Sequence, residues 1–131
     1  MVQRVAQIFG IGFILVGILG FVAGGTSMEA SMENAPRLLG LFPVNALHNC
    51  VHILIGVWGL VASRTPAGAL TFARIAGAIY VVLAALGLLV PTAFGLIPIG
   101  GNDVWLHGLL GLALLGTALS YARKSTATTT A

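Results

Sequence analysis

Residues 38–62 read LLGLFPVNALHNCVHILIGVWGLVA, twenty-five positions without one aspartate, glutamate, lysine or arginine. A helix needs about 20 consecutive, mostly apolar residues to cross the hydrocarbon core of a bilayer. A stretch of this length and character therefore predicts a membrane span, even though it carries two histidines. Working outward, residues 5–24 are also uncharged, the run 75–90 is uninterrupted and extends past Pro91 toward Ile97, and 104–122 holds a single histidine. The pattern predicts four spans, at about residues 5–24, 43–62, 75–92 and 104–122.

The composition of the whole chain agrees. Of 131 residues, 58% are hydrophobic and 7% charged, against roughly 25% charged in an ordinary soluble domain. Mean hydropathy is +1.05. So few charges cannot cover a folded surface facing water. The net charge of +3 rests on six scattered cations, too few for a nucleic-acid groove. The single cysteine, Cys50, excludes an internal disulfide and a thiolate cluster. Arg4, Arg64, Arg74, Arg123 and Lys124 fall on one side of the four spans and Arg37 alone on the other, which places both termini in the cytoplasm. A cleaved signal peptide is the competing reading of the first span, but its apolar run exceeds the usual 7–15 residues of a signal core. One transmembrane domain is expected over 1–124. A disordered, threonine-rich tail is expected over 125–131.

Self-comparison exposes a tandem duplication. At an offset of 55, Pro43 meets Pro98, Val44 meets Ile99, His52 meets His107 and Gly56 meets Gly111, while His48 meets Asp103. At an offset of 67, Gly10 meets Gly77, Phe13 meets Tyr80 and Gly20 meets Gly87. The repeat unit is one helical hairpin, so the expected fold is all-α, an integral membrane four-helix bundle of two tandem hairpins about a pseudo-twofold along the membrane normal. The offsets differ by 67 − 55 = 12 residues, assigned to 26–37 in the first outward loop. Gly10, Gly17 and Gly24, with Gly20 and the Ala73/Gly77 pair, read as helix-packing seams.

Every histidine and one of the three acids belong to the duplicated second helix. His48 and His52 are four apart and share a face, as do Asp103 and His107. Ionisable groups inside a membrane are rare and are usually paired or functional. Three readings follow. The first is a hydrogen-bonded clamp tying the repeats together, with Asn45, Asn49 and Asn102 completing the network. The second is a transition-metal site on His48, His52 and His107, with Asp103 either a ligand or the partner that fixes a histidine tautomer. Met28 and Met32, otherwise the apolar face of a short interfacial helix, would favour copper if folded over it. The third is haem b on His52 and His107, with Gly56 and Gly111 making room for the ring. Nucleophilic catalysis lacks support, since Cys50 lies two residues from both histidines and faces away from them. Trp58, Trp105, Tyr80 and Tyr121 read as packing and interface anchors.

The block Leu41-Phe-Pro-Val-Asn-Ala-Leu-His-Asn-Cys-Val-His-Ile, the Ala73-Arg74 pair leading to Gly77 and Tyr80, and Asn102-Asp103 followed by Leu106-His107 resemble a bacterial family of small four-span membrane proteins, domain of unknown function 4383. The resemblance covers nearly the whole chain except the tail. It implies a four-helix integral membrane protein of a bacterial inner or internal membrane with those polar positions as its signature. It supplies no activity, substrate or cofactor. The function expected first is that of a non-enzymatic accessory or structural subunit of a larger membrane complex, its lateral surface meeting lipid, partner helices or pigments. A metal- or haem-binding membrane protein for electron transfer or metal handling is the alternative, and a transporter ranks third.

Overall fold

The computed structural model describes residues 1–129, with side chains through Arg123. It contains four helices, α1 (Val2–Gly24), α2 (Ala46–Ala62), α3 (Pro66–Leu89) and α4 (Asn102–Thr129), and one antiparallel pair of two-residue strands, β1 (Arg37–Leu38) and β2 (Phe42–Pro43). Three helices are long and apolar enough to cross a membrane: Val2–Gly24, Pro66–Leu89 and the Asn102–Arg123 part of α4. At 17 residues α2 is shorter, because its sequence spends Phe42–Asn45 in extended backbone before the helix begins.

Local chemistry sets the boundaries. The third helix starts nine residues before the expected 75, since Thr65 caps it, Pro66 occupies its first turn and the Gly68 N–H donates to Thr65 Oγ1 at 3.0 Å. Arg74 therefore stands two turns inside α3, exposed, rather than in the connection, which is only residues 63–65. At the other end α3 stops at Leu89, short of Pro91, which cannot donate to the helix ladder. The interfacial helix expected around Met28 and Met32 does not form. Ser27 Oγ accepts from Glu29 N, the Glu29 carboxylate from Ser31 N at 2.8 Å, and Ser31 Oγ from Asn34 N. Such side-chain bonds compete with helical ones. They also hold the Glu29 carboxyl below its ordinary range, the Ser31 backbone N–H contributing most. Of the tail expected to be disordered over 125–131, residues 125–129 fall within the bounds of α4, and residues 130 and 131 lie outside the described residues.

The helices pack as two hairpins, α1 on α2 and α3 on α4, and both use the same device. A Cβ on Gly10 would lie 2.8 Å from Gly56 O, and one on Gly56 2.7 Å from Gly10 O. In the second hairpin a Cβ on Gly77 would meet Gly111 O at 3.1 Å, and one on Gly111 would meet Gly77 O at 2.9 Å. These are the pairs related by the offsets 67 and 55, so the sequence repeat is also a repeat of backbone contact. Gly20 against Asn49 and Gly87 against Val104 form a second equivalent pair. Between the hairpins, Phe13 stacks on Tyr80, its counterpart, with centroids 5.0 Å apart and planes 6° from parallel. Around this contact Ala6, Phe72, Ala73, Ala76, Leu114 and Ala118 form the apolar core.

The outer loops repeat as well. Leu39 (φ 56) and Gly40 (φ 71) form one tip, and Phe94 (φ 61) and Gly95 (φ 84) the other. All four fall at the offset of 55, in LGLFPV and FGLIPI. Both tips present an apolar residue outward, Leu39 at 80% and Phe94 at 78% exposure.

Candidate metal centre

The site begins at the N-terminus of α2. Asn45 caps the helix by accepting from His48 N at 2.9 Å, and its Nδ2 donates to Leu96 O in the opposite loop at 2.8 Å. This fixes the first turn of α2 against the second hairpin. His48 and His52 follow one turn apart, their Nε2 atoms 3.0 Å apart and their ring centroids 4.8 Å apart. From α4, the His107 ring lies 6.1 Å from His48 and 6.5 Å from His52, its plane within 15° of the latter. One ring nitrogen from each of the three histidines falls within 4.8 Å of the other two. Asp103, one turn before His107, brings Oδ2 to 3.9 Å from His48 Nδ1.

All four groups are buried, none more than 7% exposed. The floor of the site is Tyr80, whose ring centroid is 5.2 Å from that of His107 and 6.3 Å from that of His52, and which stacks on Phe13. Phe13 in turn sits 5.7 Å from His52. The sequence makes Tyr80 a packing or interface anchor and Phe13 its repeat counterpart; in the structure both are walls of the polar cluster.

The arrangement does not complete the expected hydrogen-bonded clamp. Among the described residues, His52 Nδ1, His107 Nδ1, Asp103 Oδ2 and Asn49 Nδ2 are buried without a hydrogen-bond partner, while the His48 ring meets the backbone of Pro43 and Pro98. Each such group costs about 1–3 kcal/mol. The asparagines meant to close the network do other work. Asn49 turns its side chain to Gly20 of α1, Asn102 is exposed and donates to Leu41 O at 3.3 Å, and Asn45 is the cap already described.

The donor set suits one ion rather than a haem. Three neutral imidazoles from two helices, with a carboxylate beside one of them, are ligands that zinc, iron and copper accept. A haem would need the space between His52 and His107, where His48 Nε2 already stands 3.0 Å from His52 Nε2. The glycines expected to make room for the ring are filled by their own helix crossings, Gly56 by Gly10 and Gly111 by Gly77. The methionines do not fold over the cluster: Met28 is 58% exposed and the Met32 Cε atom lies against Gly100. Cys50 is exposed, away from the buried histidines.

Two cavities touch the site. One of about 270 Å³ is lined by Phe9, Gly12, Phe13, His52 and Leu110 among others, where α1 and α4 stand apart. The second, about 170 Å³, reaches His48, His52 and Asp103 from beneath the first outer loop.

The family sequence model described as Domain of unknown function (DUF4383) matches residues 3–120, and the chain belongs to that family. No curated protein and no solved structure matches the chain.

Proposed function

We propose that this DUF4383 protein crosses its membrane four times and holds one transition-metal ion on His48, His52 and His107. The observation that carries the metal reading is the convergence of three buried imidazole nitrogens within 4.8 Å. A second consideration strengthens it: an ion taken up by one nitrogen of each ring leaves the other as an N–H donor, the state in which metal-bound histidines are normally found. Asp103, 3.9 Å from His48 Nδ1, is placed to accept from that ring and orient it. The ion would supply Lewis acidity or, if iron or copper, electron transfer.

The depth that α2 covers supports the reading of four crossings. Its C-terminal end is tied to the start of α1 by Gln3 Nε2 donating to Ser63 O at 3.0 Å. Its entry segment reaches the far end of α1, where Gly24 packs against Pro36 and Val44. The helix itself accounts for about 26 Å, and the extended Pro43–Asn45 supplies the remainder of a core about 30 Å thick. Arg4, Arg64, Arg74 and Arg123 are all exposed and belong to the end we assign to the cytoplasm, with both termini, in a bacterial inner or internal membrane. Reporter fusions test this. Green fluorescent protein after residue 129 is expected to fluoresce and alkaline phosphatase there to be inactive, and the reverse pattern would refute the orientation.

The accessory-subunit reading ranks second. The exposed face of α1, with Ile8, Ile11, Leu15 and Ile18 each 46–67% exposed, suits partner helices, but lipid covers it equally well. The metal site has a direct test. Protein purified in mild detergent and dialysed against Zn²⁺, Cu²⁺ or Fe²⁺ is expected to retain about one ion per chain of at least one of them. Substoichiometric retention of all three would overturn the assignment.

A further inference from the structure

One of the differences between the two hairpins leads to His52. Where α1 and α4 face each other, a cavity of about 270 Å³ is walled by Ile8, Phe9, Phe13, Leu106 and Leu110, with His52 as its sole polar side chain. The residue that opens it is Gly12, at which an added Cβ would meet nothing within 4 Å. No helix crossing requires this glycine. Its counterpart at the offset of 67 is Ile79, a large side chain on the equivalent face. The first hairpin thus lacks a side chain that the second has, and the consequence is an apolar passage from the membrane-facing surface, where Ile8 is 67% exposed, to a buried imidazole.

His52 is 93% buried by residue surface, at 7% exposure, and its Nδ1 has no partner. Its Nε2 is engaged on the side of His48, so Nδ1 is the nitrogen with a hydrogen bond still to make, and a ligand in the cavity reaches it by displacing the side chains that cover it. A ligand for this place must be lipid-soluble, must tolerate aromatic and aliphatic walls, and must offer one hydrogen-bond acceptor. We infer that the groove between α1 and α4 binds the ring of a lipid-soluble quinone, with a ring carbonyl accepting from His52 Nδ1 and the tail lying in the bilayer. The volume sits just below the usual range for small-molecule pockets, about 300–1,000 Å³, as fits a ring-sized head whose tail stays outside. Phe9 and Phe13, themselves 5.8 Å apart edge to face, offer the flat apolar surface a quinone ring stacks on. This rests on the metal reading for the proton: an ion on Nε2 leaves Nδ1 as the donor.

The test is equilibrium binding of a decyl-substituted benzoquinone to the full chain in phosphatidylcholine nanodiscs, with bound metal measured on the same samples. Saturable binding is expected, with no competition from decylbenzene, which lacks the carbonyls. Gly12→Leu fills the groove without touching the helix crossings and is expected to weaken binding about tenfold or more, with Gly12→Ala falling between. Both variants should keep the wild-type metal content and melting temperature. Saturable, Gly12-dependent binding to protein that holds no metal would uphold the groove while removing the metal reading. Metal-loaded protein with no saturable binding, or with binding unchanged in Gly12→Leu, would overturn the inference and leave the metal reading standing.

Discussion

Gly56→Val is expected to lower the melting temperature of the detergent-solubilised protein by roughly 6 °C or more, and Gly111→Val by a similar amount. A Cβ at Gly56 would stand 2.7 Å from Gly10 O and 2.8 Å from Ile14 N, and at Gly111 2.8 Å from Val81 N and 2.9 Å from Gly77 O. Those neighbours are backbone atoms of hydrogen-bonded helices, so relief requires two helices to separate along their seam. Overpacking costs about 1–3 kcal/mol where side chains can give, and here they cannot, which puts the cost at or above the upper end. A change of 1 kcal/mol moves a small domain's melting point by about 2–8 °C. In a membrane the loss is not offset elsewhere, because close backbone approach is itself what holds helices together. Gly12→Val is the matched control, with open space around its Cβ, and should melt with the wild type. A Gly56→Val protein that also melts with the wild type would show that the two-hairpin packing is wrong.

That pair of crossings was within reach of the sequence. Offsets of 67 and 55 align Gly10 with Gly77 and Gly56 with Gly111, but alignment alone does not say that Gly10 faces Gly56. The contact depends on the angle at which each hairpin closes, which its loop sets. The loops were the least legible part. Their shared tips, Leu39-Gly40 and Phe94-Gly95, carry positive φ, and the LGLFPV and FGLIPI repeat went unread beside the stronger proline and histidine matches. Arg74 was misleading because a charged side chain looks like a span boundary. Arg74 is exposed on α3, and a long basic side chain can cover apolar surface with its stem while its head reaches a polar phase, so a charge does not by itself end a helix.

The candidate site was more legible, and its limits are those of helical phase. Spacing of four put His48 with His52 and Asp103 with His107, and the structure brings the four together. Asn49 has the same chemistry as Asn45 but lies one residue past His48, about 100° around the helix, and so faces Gly20 of α1. Tyr80 needed knowledge of how the hairpins dock. Residues equivalent under a twofold meet each other at the axis, and Phe13 and Tyr80 are such a pair. The polar cluster lies between α2 and α4, whose backbones do not approach each other closely, and that separation leaves room for rings.

His107→Phe separates a metal centre from a structural clamp, and the two readings predict opposite signs. If His107 is a ligand, the variant is expected to lose metal affinity about a hundredfold or more: removing one of three ligands from a site of order 10 kcal/mol forfeits about 3 kcal/mol, and 1.4 kcal/mol is tenfold. Asp103→Asn, which touches only the partner of His48, should lose about 10–100-fold. Stability measured without metal should move the other way. His107 Nδ1 is buried and unpartnered, and exchanging such a group for an apolar ring of similar shape removes a penalty of about 1–3 kcal/mol. The ring contacts to Tyr80 at 5.2 Å and His52 at 6.5 Å are ones phenylalanine can make as well. Metal-free His107→Phe is therefore expected to melt at or above the wild-type temperature while failing to retain the ion. A clamp gives the reverse: metal content has no bearing, and losing one of its members leaves the remaining buried polar groups with fewer partners, so the protein melts lower. Measuring both quantities on one preparation decides between them, because no single change in folding yield produces a stabilised protein with a missing ion.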